Sequence, residues 1–175
     1  MNTETTPRGT MILGLGNPIL GDDGIGCSVA DFIGDRLATG SGVTVLSTSV
    51  SLIRLVDEIS GHHRLIIIDS ITTGQAEPGE LMEIEFRKRN TLPISAHHYS
   101  IEQLQDIGDA LGLSMPEYVK IYGIEIIRPE VYEDCLSPAL EGLLPEFAEE
   151  IINREFLSNC MAEGYNTTPR GECAV

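Results

Sequence analysis

The chain has no tryptophan, and only 5% of its 175 residues are aromatic, too few for the stacked platforms that hold single-stranded nucleic acids. Positive charge is equally scarce: 11 Lys and Arg face 27 Asp and Glu, a net charge of −16 at pH 7. Phosphate backbones and anionic lipid surfaces demand a cationic face, so this balance argues against nucleic acid and membrane as partners. It suits solubility and tolerates a basic protein patch or a metal cation. No apolar run approaches the ~18 residues of a membrane span. The first nine residues lack the charge pattern and apolar core of a signal peptide, and the expectation is a cytoplasmic protein. Cys27, Cys135, Cys160 and Cys173 form no Cys-x-x-Cys pair, which argues against zinc-ribbon and thioredoxin chemistry and leaves them as free thiols. A Gly-x-Ser-x-Gly nucleophile elbow is also missing. Gly14-x-Gly16 lacks the third glycine of a dinucleotide fingerprint, the next being Gly21.

What is present is a globular pattern. Apolar residues make up 42% of the chain, and 175 residues suffice for one domain with a real core. We expect a flexible leader over residues 1–9, a single domain over 10–156 and a disordered tail over 157–175. Residues 11–15 read as a buried strand. Ile25, Val29, Phe32, Ile33 and Leu37 then predict a helix over 24–37, with Asp22 or Asp23 as its N-cap. A second strand over 43–46 precedes an apolar helical face of Leu52, Leu55, Val56 and Ile59, closed by Gly61, with His62 and His63 in a solvated loop.

Residues 65–68 are a continuous apolar run, as a central parallel strand covered on both sides requires. Residues 81–86 alternate apolar and acidic, the pattern of a half-exposed strand near an edge. A third helix carries Ile101, Leu104 and Ile107 and stops at Gly112, and a last strand spans 119–124. Ser137-Pro138 opens a final helix running toward Phe156, with a kink expected at Pro145. Strands alternating with helices imply an α/β fold: a three-layer α/β/α sandwich around a mostly parallel, twisted sheet of about five strands.

Three residues fall where such sheets place their chemistry, beyond the carboxyl ends of the strands. Asp23 follows the first strand, Asp69 closes the central one, and His97 opens the third helix. Two carboxylates and an imidazole form a hard-to-borderline ligand set suited to nickel or zinc. The same groups serve equally as a general base with an orienting carboxylate. Each also has a plain structural reading: helix capping for Asp22 or Asp23, turn chemistry for Asp69-Ser70, a solvated ring for His97. Cys27, inside the first helix without a base partner, reads as a buried thiol.

These residues carry a resemblance. Gly14-Leu-Gly-Asn17 followed by Gly21-Asp-Asp-Gly-Ile-Gly26 is similar to the opening signature of the [NiFe]-hydrogenase maturation endopeptidases. Ile68-Asp69-Ser70-Ile71 with Pro78-Gly79 resembles their second acidic motif, and Ser95-Ala-His97 their Ser-x-His segment. Gly123-Ile-Glu125 and Leu136-Ser-Pro138 resemble the last strand and the start of the last helix, so the likeness covers about residues 11–156. The resemblance implies a peptidase, grouped by some criteria as metallo- and by others as aspartic-type. It implies cleavage of a C-terminal extension from a hydrogenase large-subunit precursor once nickel is loaded. Asp23, Asp69 and His97 would then contact the precursor's nickel, with zinc or cadmium able to substitute in the isolated protein. The doubled His97-His98 leaves that imidazole open by one position, and Ala96 stands where many relatives carry Pro.

Two rivals remain at this level. A peptidyl-tRNA hydrolase also opens with Gly-Leu-Gly-Asn-Pro, but Asp22-Asp23-Gly24 stands where its catalytic segment belongs, and a tRNA substrate fits poorly with the charge. A non-catalytic, metal-dependent maturation chaperone would use the same three residues for docking.

Overall fold

The computed structural model describes residues 8–37, 41–84, 101–129 and 132–157. Five strands form one sheet in the order β2-β1-β3-β5-β4. They are β1 (Arg8–Leu15), β2 (Val43–Thr48), β3 (His62–Ile71), β4 (Leu81–Glu83) and β5 (Tyr118–Glu125). Four run parallel, and β4 closes one edge antiparallel to β5. The apolar run Leu65, Ile66, Ile67 and Ile68 lies in the central strand and is wholly buried. Successive strand residues point to opposite faces, and that period divides the run. Ile66 and Ile68 join α1 (Ile25–Gly34) and α4 (Pro138–Ile152) in one core layer. Leu65 and Ile67 pack with Leu52 and Leu55, with the single-turn α2 (Val56–Ile59), and with α3 (Ile101–Leu111) in the other. Each such side chain contributes about 2 kcal/mol by burial. The result is the expected α/β/α sandwich. Among the described residues, no helix is long and apolar enough to cross a membrane.

Several boundaries differ from the sequence reading. Arg8 and Gly9, assigned to the leader, stand in β1, where Arg8 pairs with His62 and Thr10 donates its N–H to Gly42 O (3.1 Å). Backbone pairing with strands on both sides extends β1 beyond its apolar residues. His62 is not solvated: it begins β3 and is buried, with ring nitrogens 3.2 Å from Ile59 O and 3.2 Å from Thr44 Oγ1. Gly61, at φ 80°, turns the chain directly into the strand. The first helix is shorter than 24–37, because a 3-10 turn, Gly21–Gly24, precedes α1 and Gly34 ends it. The final helix continues through Pro145 to Ile152 and is followed by a π turn, Asn153–Leu157. Residues 1–7, 85–100 and 158–175 lie outside the described residues, and with them Phe86, Cys160 and Cys173.

The last turn is fastened by a carboxylate that the periodicity did not single out. Glu155, 2% exposed, accepts from Arg64 Nη2 (2.6 Å) and Tyr118 Oη (3.1 Å) through one oxygen and from Tyr122 Oη (2.6 Å) through the other. Arg64 Nη1 also donates to Glu155 O (3.1 Å). Burial and the adjoining Glu155 charge raise both tyrosine hydroxyls above their ordinary range, so both remain donors. The network joins β3 and β5 to the π turn that follows α4.

Candidate active site

The carboxyl edge of the parallel strands gathers two acids. After β1 the chain turns at Gly16, φ 152°, where a Cβ would stand 2.2 Å from Asp23 O. The 3-10 turn then carries Asp22 and Asp23, and α1 begins with its backbone pressed onto the strands. A Cβ on Gly26 would meet Leu15 O at 2.2 Å, Ile68 O at 2.4 Å and Asp69 Cα at 2.9 Å. Only a residue without a side chain permits that approach, and the approach brings Asp23 to Asp69.

Asp23 is 8% exposed and Asp69 fully buried. Asp23 Oδ1 accepts the Ser70 hydroxyl at 2.8 Å, and its Oδ2 accepts the Asn17 N–H at 3.1 Å. Asp69 Oδ1 accepts the Ser70 N–H at 2.8 Å. The two acids, from segments far apart in sequence, thus share one buried serine. Contrary to expectation, Asp69 does not close its strand but lies within it, paired in register with Gly123, because β3 continues to Ile71.

Neither acid caps α1, contrary to expectation. Gly24 occupies the N-cap position without a side-chain bond, because the intervening 3-10 turn sets both aspartates ahead of the helix. Asp22 instead accepts the Ser137 N–H at 2.6 Å and ties this turn to the start of α4. His97 and His98 fall in residues 85–100, outside the described residues. Among the described residues, no three His, Cys, Asp or Glu side chains gather as a metal site.

Two neighbours complete the edge. Glu125, 3% exposed at the end of β5, accepts from Thr73 Oγ1 (2.5 Å) and Gly74 N (2.8 Å) and holds the loop that follows β3. An acid closing an apolar strand, as Asp69 nearly does, was the signal for it. Cys27 is buried, with Sγ 3.5 Å from Gly14 O and 3.7 Å from both Gly16 O and Thr48 O. Burial pushes its thiol up to about 11, against the lowering effect of the Thr48 bond and with help from the Asp31, Asp69 and Asp23 charges. It is a protonated donor at neutral pH, in keeping with the buried-thiol reading.

No family model matches the chain. The hydrogenase 2 maturation protease of Escherichia coli (strain K12) is 28% identical over 160 residues, covering 83% of this chain and 96% of that protein. The hydrogenase expression/formation protein HupD of Rhizobium leguminosarum bv. viciae is 24% identical over 146 residues, covering 81% and 71%. Among solved structures, the hydrogenase maturating endopeptidase HybD from E. coli superposes with a TM-score of 0.67 at 20% identity, covering 89% of this chain and 93% of that one. A mostly parallel α/β sheet of this kind is the HybD-like fold. Over most of its length the chain is thus similar to a hydrogenase maturation protease, and the peptidase expected from its motifs is borne out by that relative.

Proposed function

We propose that the chain removes the C-terminal extension of a nickel-loaded [NiFe]-hydrogenase large-subunit precursor in the cytoplasm, completing maturation of that enzyme. The observation that carries this reading is the joining of Asp23 and Asp69 through Ser70 at the sheet's carboxyl edge. Their carboxylates, with the His97 imidazole, would contact the nickel that the precursor already holds. The donor set suits that ion: carboxylate oxygen and imidazole nitrogen bind borderline divalent cations. A carboxylate offers about four acceptor sites, so the two described bonds of Asp23 leave it capacity for a cation. The nickel belongs to the substrate, and zinc or cadmium would occupy the same donors in the isolated protein. One of the two carboxylates would take a proton from the attacking water, and closure of the substrate around the edge would exclude bulk solvent.

The surroundings support a polypeptide substrate. Of the six exposed large apolar residues among the described ones, Ile19, Val50, Ile53, Ile127 and Tyr132 follow the carboxyl ends of strands. Ile19 and Tyr132 flank the isolated bridge between Leu20 and Glu133. The loops after these strands, which adjoin the edge carrying the two acids, therefore offer apolar side chains to a polypeptide partner.

The test is incubation with nickel-loaded precursor and with nickel-free precursor, followed by intact-mass measurement. A shortened product from the loaded form alone is expected. Equal cleavage of both would remove nickel as the recognition element. A stable complex of unchanged mass would overturn the endopeptidase in favour of a docking chaperone.

A further inference from the structure

We infer that Ser70 is a positioning residue that fixes Asp23 and Asp69 in one mutual geometry; its kinetic consequence rests on the reading of these acids as the substrate-contacting pair. Ser70 is 2% exposed and follows Asp69 directly. Its backbone N–H donates to Asp69 Oδ1 and its hydroxyl to Asp23 Oδ1, each at 2.8 Å. In the second bond the hydroxyl is the donor and the carboxylate oxygen the acceptor.

Asp23 is thereby held from two sides. Ser70, on β3, takes Oδ1, and the Asn17 N–H, in the turn after β1, takes Oδ2. One donor on β3 and one in the turn after β1 thus hold the two oxygens of the carboxylate from separate segments. Asp69 is fixed to the same serine through the backbone. The arrangement is asymmetric in a useful way: replacing the side chain releases Asp23 and leaves the Asp69 bond in place. Groups of this kind, one bond removed from a metal, orient its ligands before the metal arrives.

The experiment uses the full chain with Ser70→Ala, Ser70→Thr and Asp23→Ala. With nickel-loaded precursor, Ser70→Ala is expected to lower kcat/KM by roughly 10- to 100-fold, and Ser70→Thr, which keeps the hydroxyl, to restore it. Precursor affinity should show the coupling: adding Ser70→Ala to Asp23→Ala should change Kd by less than about twofold, since no acceptor is left for the hydroxyl to position. A merely structural serine would weaken both backgrounds alike, and that result overturns the inference, as does wild-type kcat/KM in Ser70→Ala. A crystal structure of Ser70→Ala decides the matter independently of activity. A displaced Asp23 carboxylate beside an unmoved Asp69 supports the inference, and an undisplaced Asp23 overturns it. Failure of the wild-type chain to cut any precursor would instead count against the endopeptidase reading alone.

Discussion

Gly26 and Asp69 touch backbone to backbone: a Cβ on the glycine would lie 2.9 Å from Asp69 Cα. The first turn of α1 therefore rests on the strand that carries one acid while the preceding 3-10 turn carries the other. Gly26→Ala should force the helix away from β1 and β3, because the new methyl would also meet Leu15 O and Ile68 O within 2.4 Å. Overpacking against backbone costs about 1–3 kcal/mol. Urea denaturation should show a lower midpoint, and precursor cleavage should fall further than the residual folded fraction explains. Wild-type stability in Gly26→Ala would contradict the contact.

Asp23→Asn and Asp69→Asn should each reduce cleavage of nickel-loaded precursor by roughly 100-fold or more, the usual scale for losing a group that moves a proton or holds the reacting centre. An asparagine oxygen can still accept the Ser70 hydroxyl or N–H, so circular dichroism should stay unchanged. Normal rates in both variants would sink the assignment of these acids.

Removing Arg64 should leave the Glu155 carboxylate buried without its cation. Breaking such a pair costs about 3–5 kcal/mol when fully buried, and Arg64 is 18% exposed at its side chain, so Arg64→Ala should fall at or below the low end. Thermal unfolding should move down by several degrees. Below the transition, cleavage should persist, because Arg64 sits near the amino end of β3 and Asp69 near its carboxyl end.

Thiol chemistry gives a separate check. With its thiol raised to about 11 by burial, Cys27 should resist alkylation at pH 8 in the folded chain, while exposed Cys135 reacts. Peptide mass spectrometry before and after unfolding would show the contrast. The sign for stability follows from the same shift: the unfolded thiol ionises near 9.0 and the folded one near 11. Over that window the folded state binds more protons, so stability should fall as pH rises through it. Cys27→Ala should flatten that part of the alkaline profile; an unchanged slope would reject the cause.

Burial on both faces made the central strand readable from Leu65–Ile68 alone, and alternation of Met82 and Ile84 with Glu83 placed β4 at an edge. Those signals are local. His62 was missed because its burial depends on Thr44, a partner in another strand. Glu155 was missed for the same reason: its partners Arg64, Tyr118 and Tyr122 come from β3 and β5. The two aspartates were legible as acids near strand ends, since the glycine turn and the apolar runs advertise those positions. Their link was not, because a serine after an aspartate reads equally well as an ordinary turn.

The bond from Asp22 to the Ser137 N–H has a practical consequence. It moors the acid-bearing turn to a helix whose sequence begins more than a hundred residues later, so the two travel as one body. Shortening the protein before Ser137 would cast off that mooring, and loss of cleavage in such a fragment would reflect a loosened turn as much as a missing helix.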